Sequence, residues 1–197
     1  MLTKTQTKII GVFASKINEK FSIKQVSEIM KKPYPLVHRS MRYLIENNFI
    51  TKDNKELLSL NYKENHSFLN YIEAMRKKDF LDKGKTLSLF TDDCLEHLKQ
   101  DFFIFLIFGS AVETKNPRDI DILFITDNEN NLDKIEKTLN NLADNFSKRF
   151  DINVISVKSA YEMLSKRDEI NILNETLNKH IIIFGGENYY RILKNAR

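Results

Sequence analysis

The sequence predicts an α/β (α+β) chain, in which a small mixed sheet follows a mainly helical first part. Hydrophobic residues make up 42% of the 197 residues, enough to build a packed core. Apolar residues recur at helical spacing through most of the first hundred positions. In the second half, short apolar runs of strand length alternate with helix-patterned segments. These observations together predict two structurally different modules.

The first third has the pattern of three helices followed by a hairpin. Pro33 and Pro35 interrupt the helical pattern before the third helix, because proline lacks an amide hydrogen and disfavours helix in the preceding residue. Asp53-Asn54 supplies the turn between two short strands. The predicted helices cover residues 5–20, 24–30 and 36–47, and the predicted strands cover 49–51 and 57–62.

Positive charge is concentrated in the same segment. Residues 1–63 hold 12 Lys/Arg and 5 Asp/Glu, a net of +7, whereas the remainder has a net charge of −3. This asymmetry makes the first module a candidate for binding nucleic acid. The alternative is a solvated basic face on a domain that binds protein or only packs. The candidate contacts are Lys31, Lys32, His38, Arg39, Arg42, Lys52 and Lys55.

This order of elements resembles the winged helix-turn-helix domains of archaeal and bacterial regulators over about 60 residues. The resemblance implies that the third helix, which carries His38, Arg39 and Arg42, lies in a major groove of DNA or RNA. Lys52 and Lys55 would contact phosphates from the wing. Phosphate contacts give affinity without sequence specificity, so no target sequence follows.

The middle of the chain is predicted to be a helical connection. Helical patterns cover residues 66–80 and 86–100, and Gly84 falls between them as a break. We place a domain boundary near residues 63–66, which divides the chain into 1–63, a connection at 64–100, and a second domain at 101–197. The helical segments also offer surfaces through which the chain could form an oligomer.

Composition favours a cytoplasmic protein without membrane contact. The single cysteine, Cys94, excludes a disulfide framework and a cysteine-based zinc site, and it suits a reducing compartment. The segment from Met1 to Gly11 is too polar for a signal peptide. The longest apolar run, Phe102 to Phe108, is far shorter than the roughly 20 residues of a membrane helix.

That apolar run is the first part of a candidate catalytic constellation. Its length and its aromatic and isoleucine content predict a strand buried on both faces, which ends at Gly109-Ser110. The glycine permits a tight turn and close backbone approach. From Ala111 a helix is predicted, whose first amides would point at an anion. The terminal phosphates of a nucleotide fit this arrangement.

Two aspartates begin the next predicted strand, residues 119–125. Asp119 and Asp121 project to one face because alternate side chains of a strand share a face, while Ile120 and Ile122 enter the core. Two carboxylates so close repel each other unless a cation lies between them. Magnesium prefers such oxygen ligands, so the pair predicts a metal site.

A third acid starts another predicted strand, after a helical pattern at 132–146. Asp151 begins this strand and could lie beside Asp119 and Asp121 in the sheet. Three carboxylates could hold two metal ions, and Asp151 is the natural general base. The end of the chain predicts a helix at 168–177, a strand at 180–184, and a last helix after Gly185-Gly186.

The run Phe108-Gly109-Ser110, eight residues, and Asp119-Ile120-Asp121, followed by a later strand acid, resembles the DNA polymerase beta-type nucleotidyltransferase superfamily. It is most similar to the minimal nucleotidyltransferases of archaea and bacteria, over residues 86–194. The resemblance implies transfer of a nucleoside monophosphate from a nucleoside triphosphate, usually ATP, with two Mg²⁺ ions. Gly109 and Ser110 match the phosphate-binding turn, Asp119 and Asp121 the metal pair, and Asp151 the third acid.

The loop after the turn departs from the family. It lacks the common glycine and the serine before the first metal aspartate, and Lys115 and Arg118 stand there as possible triphosphate contacts. The acceptor could be an RNA end, a protein hydroxyl or a small molecule. A partner protein is suggested because minimal nucleotidyltransferases of toxin–antitoxin pairs modify a toxin. The alternative function is a DNA-binding regulator whose second domain senses nucleotide or is inactive.

Overall fold

The structure is a computed structural model that describes residues 2–98, 100–114, 117–166 and 169–196. It is a mixed α/β chain with small sheets, which confirms the predicted class. The first module contains α1 (Lys4–Ala14), α2 (Ile23–Met30), α3 (Tyr34–Glu46), β1 (Ile50–Lys52) and β2 (Leu58–Leu60). The two strands pair antiparallel, so the predicted order of helices and hairpin is confirmed.

The first helix ends earlier than predicted. The pattern suggested a helix to residue 20, but α1 stops at Ala14. The reason is a competing set of hydrogen bonds from the segment that follows. The amide of Ile17 donates to the carbonyl of Leu177 (2.8 Å), and the amide of Asn18 donates to Asn178 Oδ1 (3.0 Å). Ile17 is still buried, as its place in the apolar pattern indicated.

The third helix begins earlier than predicted. Pro33 is its N-cap residue and Pro35 lies inside its first turn. Proline is tolerated there because the first amides of a helix have no partner within the helix. The prolines therefore start α3 at Tyr34 instead of delaying it to residue 36.

The rest of the chain forms a layered structure around a four-stranded sheet. Its elements are α4 (His66–Leu81), α5 (Lys85–His97), β3 (Phe103–Phe108), α6 (Ser110–Glu113), β4 (Asp119–Thr126), a 3-10 turn (Glu129–Asn131), α7 (Leu132–Ala143), β5 (Arg149–Ser156), α8 (Val157–Ser165), α9 (Ile172–Thr176), β6 (His180–Phe184) and α10 (Gly186–Asn195). The helix predicted at 168–177 is thus shorter as α9, and residues 167 and 168 lie outside the described part. Asn171 is the N-cap residue of α9, and its side chain accepts a hydrogen bond from the amide of Asn174.

The sheet has the order β5-β4-β3-β6. Strand β3 is antiparallel to both β4 and β6, whereas β4 and β5 are parallel and α7 crosses between them. Parallel neighbours need such a crossover because the chain must return to the starting end of the sheet before the second strand begins, which a tight turn cannot do. The central strand β3 is buried along its whole length, as its continuous apolar run predicted.

Alternate strand residues enter two different cores. Phe105 and Ile107 pack with residues of α5 and α7, including the buried Cys94. Leu106 and Phe108 belong to a second core, which extends through α4, α8 and α10 into the helices of the first module. The hydrophobic contacts are therefore continuous across residues 63–66, where we predicted a boundary.

Helix α4 is attached to the sheet layer by a buried ionic cluster. Arg76 donates from Nη1 to Glu73 (2.6 Å) and from Nη2 to the carbonyl of His180 (2.6 Å). The hydroxyl of Tyr190 donates to the other oxygen of Glu73 (2.6 Å). Glu73, His180 and Tyr190 are essentially inaccessible to solvent. This cluster attaches α4 to β6 and α10 at one place.

Within the described ranges, no helix combines the length and apolar character needed to cross a membrane.

Candidate active site

The sheet brings the three predicted acids to one end. In the pairing register Asp121 lies opposite Phe108 of β3 on one side and opposite Asp151 of β5 on the other. Adjacent strands are about 4.8 Å apart, so these two carboxylates belong to neighbouring positions. Asp119 stands two residues earlier on β4, on the same face as Asp121. Ile120, between them, is buried as predicted.

Electrostatics at Asp121 reflect this crowding. Burial raises the pKa of its carboxyl, and the negative charges of Asp119, Asp151 and Glu175 raise it further. Each charge on a neighbour disfavours ionisation of Asp121. Glu175 lies on α9, 54 residues from Asp121 along the chain, so no local sequence pattern marks it as part of this site.

The glycine turn packs against the same carboxylate. Gly109 has a φ of 69°, which L side chains rarely adopt, and a Cβ atom placed there would collide with Asp121 Oδ2. The amide of Gly109 donates to the carbonyl of Lys179 (3.1 Å). The turn is therefore held between β4 and the residue that precedes β6, and only glycine fits it.

Gly109→Ala is expected to lower the free energy of unfolding by about 1–3 kcal/mol through backbone strain alone. The collision with Asp121 adds to this loss and displaces the carboxylate. Gly11→Ala is the matched control, because its Cβ meets nothing within 4 Å in α1. Alanine inside a helix should stabilise by about 0.5–1 kcal/mol. Urea unfolding of both variants measures these opposite changes in the free energy of unfolding. A Gly109→Ala variant as stable as the natural chain would contradict the expected strain.

The other predicted nucleotide contacts have different outcomes. Ser110 is exposed and begins α6, one residue before the predicted start, and this helix lasts only four residues. The predicted helix from Ala111 is therefore a single turn. Arg118 is exposed directly before β4. Lys115 lies outside the described residues.

The donor chemistry at this end of the sheet suits a hard divalent cation. Asp119, Asp121 and Asp151 offer carboxylate oxygens, the ligand type that Mg²⁺ prefers. Burial raises the pKa of Asp121 most, and the charges of the neighbouring acids raise it further; a cation would offset the effect of those charges. Among the described residues, no three His, Cys, Asp or Glu side chains already converge as a formed metal site. The three carboxylates fit Mg²⁺ in the type of their ligand atoms and in the sign of their charge.

The predicted basic contacts are all exposed, and the structure brings some of them together. His38, Arg42, Lys52 and Lys55 line one groove of about 510 Å³ between α3 and the hairpin, which we call the basic groove. Arg39 lies beside it on α3, with His38 and Arg42.

Two predicted contacts lie elsewhere. Lys32 lines a different groove with Lys8 and Asp79, between the first module and α4. Lys31 ends α2 in a left-handed conformation, with a φ of 50°. Neither lysine lines the basic groove, so the groove contains fewer of the predicted contacts than the sequence suggested.

The described site thus combines three carboxylates, a turn that requires glycine and Lys179 at one end of the sheet. Comparisons of the chain with protein-family models, curated proteins and solved structures found no match. The functional proposal therefore rests on the chemistry of these residues.

Proposed function

We propose that this chain is a magnesium-dependent nucleotidyltransferase of the DNA polymerase beta type, with ATP as the expected donor. The observation that carries the proposal is the position of Asp121. It shares a face with Asp119, pairs in register with Asp151, and contacts a glycine turn that tolerates no side chain. Carboxylates beside an open backbone turn suit a metal-bound triphosphate.

The residues have distinct roles in the proposed reaction. Asp119, Asp121 and Asp151 would hold two Mg²⁺ ions, which supply positive charge to the phosphates and lower the pKa of the attacking hydroxyl. The Gly109-Ser110 turn orients the terminal phosphates. The acceptor oxygen forms a bond to the α-phosphorus, and the bond from that phosphorus to the bridging oxygen breaks. Pyrophosphate leaves, and Asp151 takes the proton of the acceptor hydroxyl.

Transfer of label from α-labelled ATP tests this function. The full chain is incubated with Mg²⁺, alone and with RNA, cell extract or small hydroxyl compounds, because the acceptor class is open. We expect magnesium-dependent label on one acceptor and none after chelation. A variant with Asp119→Asn and Asp121→Asn should transfer nothing, whereas Glu136→Gln, an exposed change on α7, should behave as the natural chain. No transfer and no metal-dependent nucleotide binding would refute the enzyme.

A second function is supported by the first module. We propose that residues 1–63 form a winged helix-turn-helix domain that binds DNA or RNA through the basic groove. Its side chains project from α3 and from the hairpin, the two elements that such domains use. In a regulator without catalytic activity, this binding would persist while label transfer is absent.

Binding of the full chain to duplex DNA should weaken steeply with salt. Each phosphate contact contributes a slope of about −0.9 to the dependence of log affinity on log salt. Lys55→Ala should reduce the slope by about 1, because it removes one contact. Lys137→Ala, an exposed change on α7, is the control and should leave the slope unchanged. A flat salt response of the natural chain would exclude phosphate contacts.

A further inference from the structure

Lys179 flanks the glycine turn on the side opposite Asp121. Strand β3 lies between β4 and β6, and Phe108 pairs with Asp121 on one side and with His180 on the other. Lys179 directly precedes His180, and its carbonyl accepts the amide of Gly109 at 3.1 Å. The turn therefore has a carboxylate on one flank and a lysine on the other.

The ammonium of Lys179 has a weakly bound partner. Its Nζ lies 3.0 Å from Glu113 Oε2, at the end of α6, and both side chains are about half exposed, at 48% and 49%. Exposed ion pairs of this kind contribute little to stability, so exchanging the partner costs little. A triphosphate carries several negative charges and competes favourably with one carboxylate. The ion pair with Glu113 keeps the ammonium of Lys179 close to the end of α6.

We propose that Lys179 is the triphosphate-binding cation of this site and that it exchanges Glu113 for the phosphates of the nucleotide. The inference rests on the proposed nucleotidyltransferase function and adds a residue to it. The arrangement of charges on the two flanks of the turn matches a metal-bound triphosphate. The metal-bound phosphates would lie beside Asp121, and the remaining phosphate charge would face Lys179. The contact fixes the orientation of the triphosphate across the turn.

The alternative role of Lys179 is structural. In that case the ion pair only fastens α6 to the start of β6, and either partner could be removed with the same result. The two roles predict different changes in nucleotide affinity when each partner is removed. A phosphate-binding lysine loses nucleotide affinity when removed, whereas removal of its competitor Glu113 raises that affinity. A structural pair loses affinity, or keeps it, equally in both variants.

Binding of α,β-methylene-ATP with Mg²⁺ to the full chain distinguishes these roles without turnover. We expect Lys179→Met to lower the affinity about tenfold, as for loss of a charged hydrogen bond. Lys179→Arg should restore most of the affinity, and Glu113→Gln should raise it above that of the natural chain. AMP, which lacks the terminal phosphates, should bind Lys179→Met and the natural chain equally. Thermal unfolding of each variant checks that it is folded.

The outcomes separate the inference from the function on which it rests. Unchanged nucleotide affinity in Lys179→Met, or equal changes of affinity in Lys179→Met and Glu113→Gln, would overturn the proposed role of Lys179. The proposed nucleotidyltransferase function would not be affected by that result. If the natural chain binds no nucleotide with Mg²⁺, the proposed function fails and the inference fails with it.

Discussion

Asp121→Asn is expected to lower the rate of nucleotidyl transfer by about a thousandfold. Asparagine keeps the size of the side chain but removes the charge that would hold the proposed metal, and a loss of about 4 kcal/mol of transition-state stabilisation corresponds to this factor. Initial rates of label transfer measure the effect. Asp133→Asn is the matched control, because it is an exposed aspartate on α7, and its rate should not change. If the variant keeps more than a tenth of the natural rate, Asp121 does not have the proposed metal-binding role.

The same substitution should stabilise the metal-free protein. Because burial and neighbouring acids raise the folded pKa of Asp121, its ionised form destabilises the fold above that pKa and the penalty disappears as the pH falls below it. Asp121→Asn removes the penalty at neutral pH. Urea unfolding with chelator should show a more stable variant, and added Mg²⁺ should stabilise only the natural chain. Loss of both activity and stability would instead indicate a structural aspartate.

Glu73→Gln is expected to destabilise the fold by about 3–5 kcal/mol, since removal of one partner leaves buried charge uncompensated. Arg76 is only 13% exposed and would lose its carboxylate, while the Tyr190 hydroxyl would lose a charged acceptor. Urea unfolding measures the loss. Glu46→Gln is the control, because its pair with Arg42 is long (3.7 Å) and exposed, and its loss should cost less than about 1 kcal/mol. Equal effects in the two variants would contradict the importance of burial.

The cluster also sets an acid limit for the fold. Burial alone would raise the pKa of Glu73, but the charge of Arg76, the nearby His180 and the Tyr190 hydroxyl lower it from 4.5 to about 2. A lowered folded pKa contributes stability that is complete above pH 4.5 and is lost as the pH falls towards 2. The free energy of unfolding of the natural chain should therefore fall across this window. Glu73→Gln should show a weaker dependence there, and parallel curves would refute this assignment.

The elements that the sequence predicted well are those whose burial pattern is local. The run that became β3 is apolar on both faces, and only a central strand needs that pattern. Alternation around Ile120 predicts that Asp119 and Asp121 share one face, and this prediction does not depend on the order of strands in the sheet. The predicted neighbourhood of Asp151 and Asp121 is confirmed as a parallel register.

The features that the sequence could not predict depend on contacts distant in the chain. Lys179 is 70 residues from Gly109, and nothing in its own neighbours marks it as part of the turn. Glu73 and Arg76 have the spacing of an ordinary surface ion pair, and only the packing of β6 and α10 buries them. The early end of α1 has the same cause, because Leu177 supplies the competing carbonyl.

The amides of Ile17 and Asn18 donate hydrogen bonds that connect the first module to the segment before β6. That segment also carries Glu175, near Asp121, and Lys179, which accepts the amide of the glycine turn. Hydrogen bonds therefore connect the module that carries the basic groove to the segment that borders the carboxylates. If both proposed functions hold, a nucleic acid bound in the groove would offer the carboxylates only those hydroxyls that lie at a matching distance along it, so the chain would select its acceptor by distance as well as by chemistry.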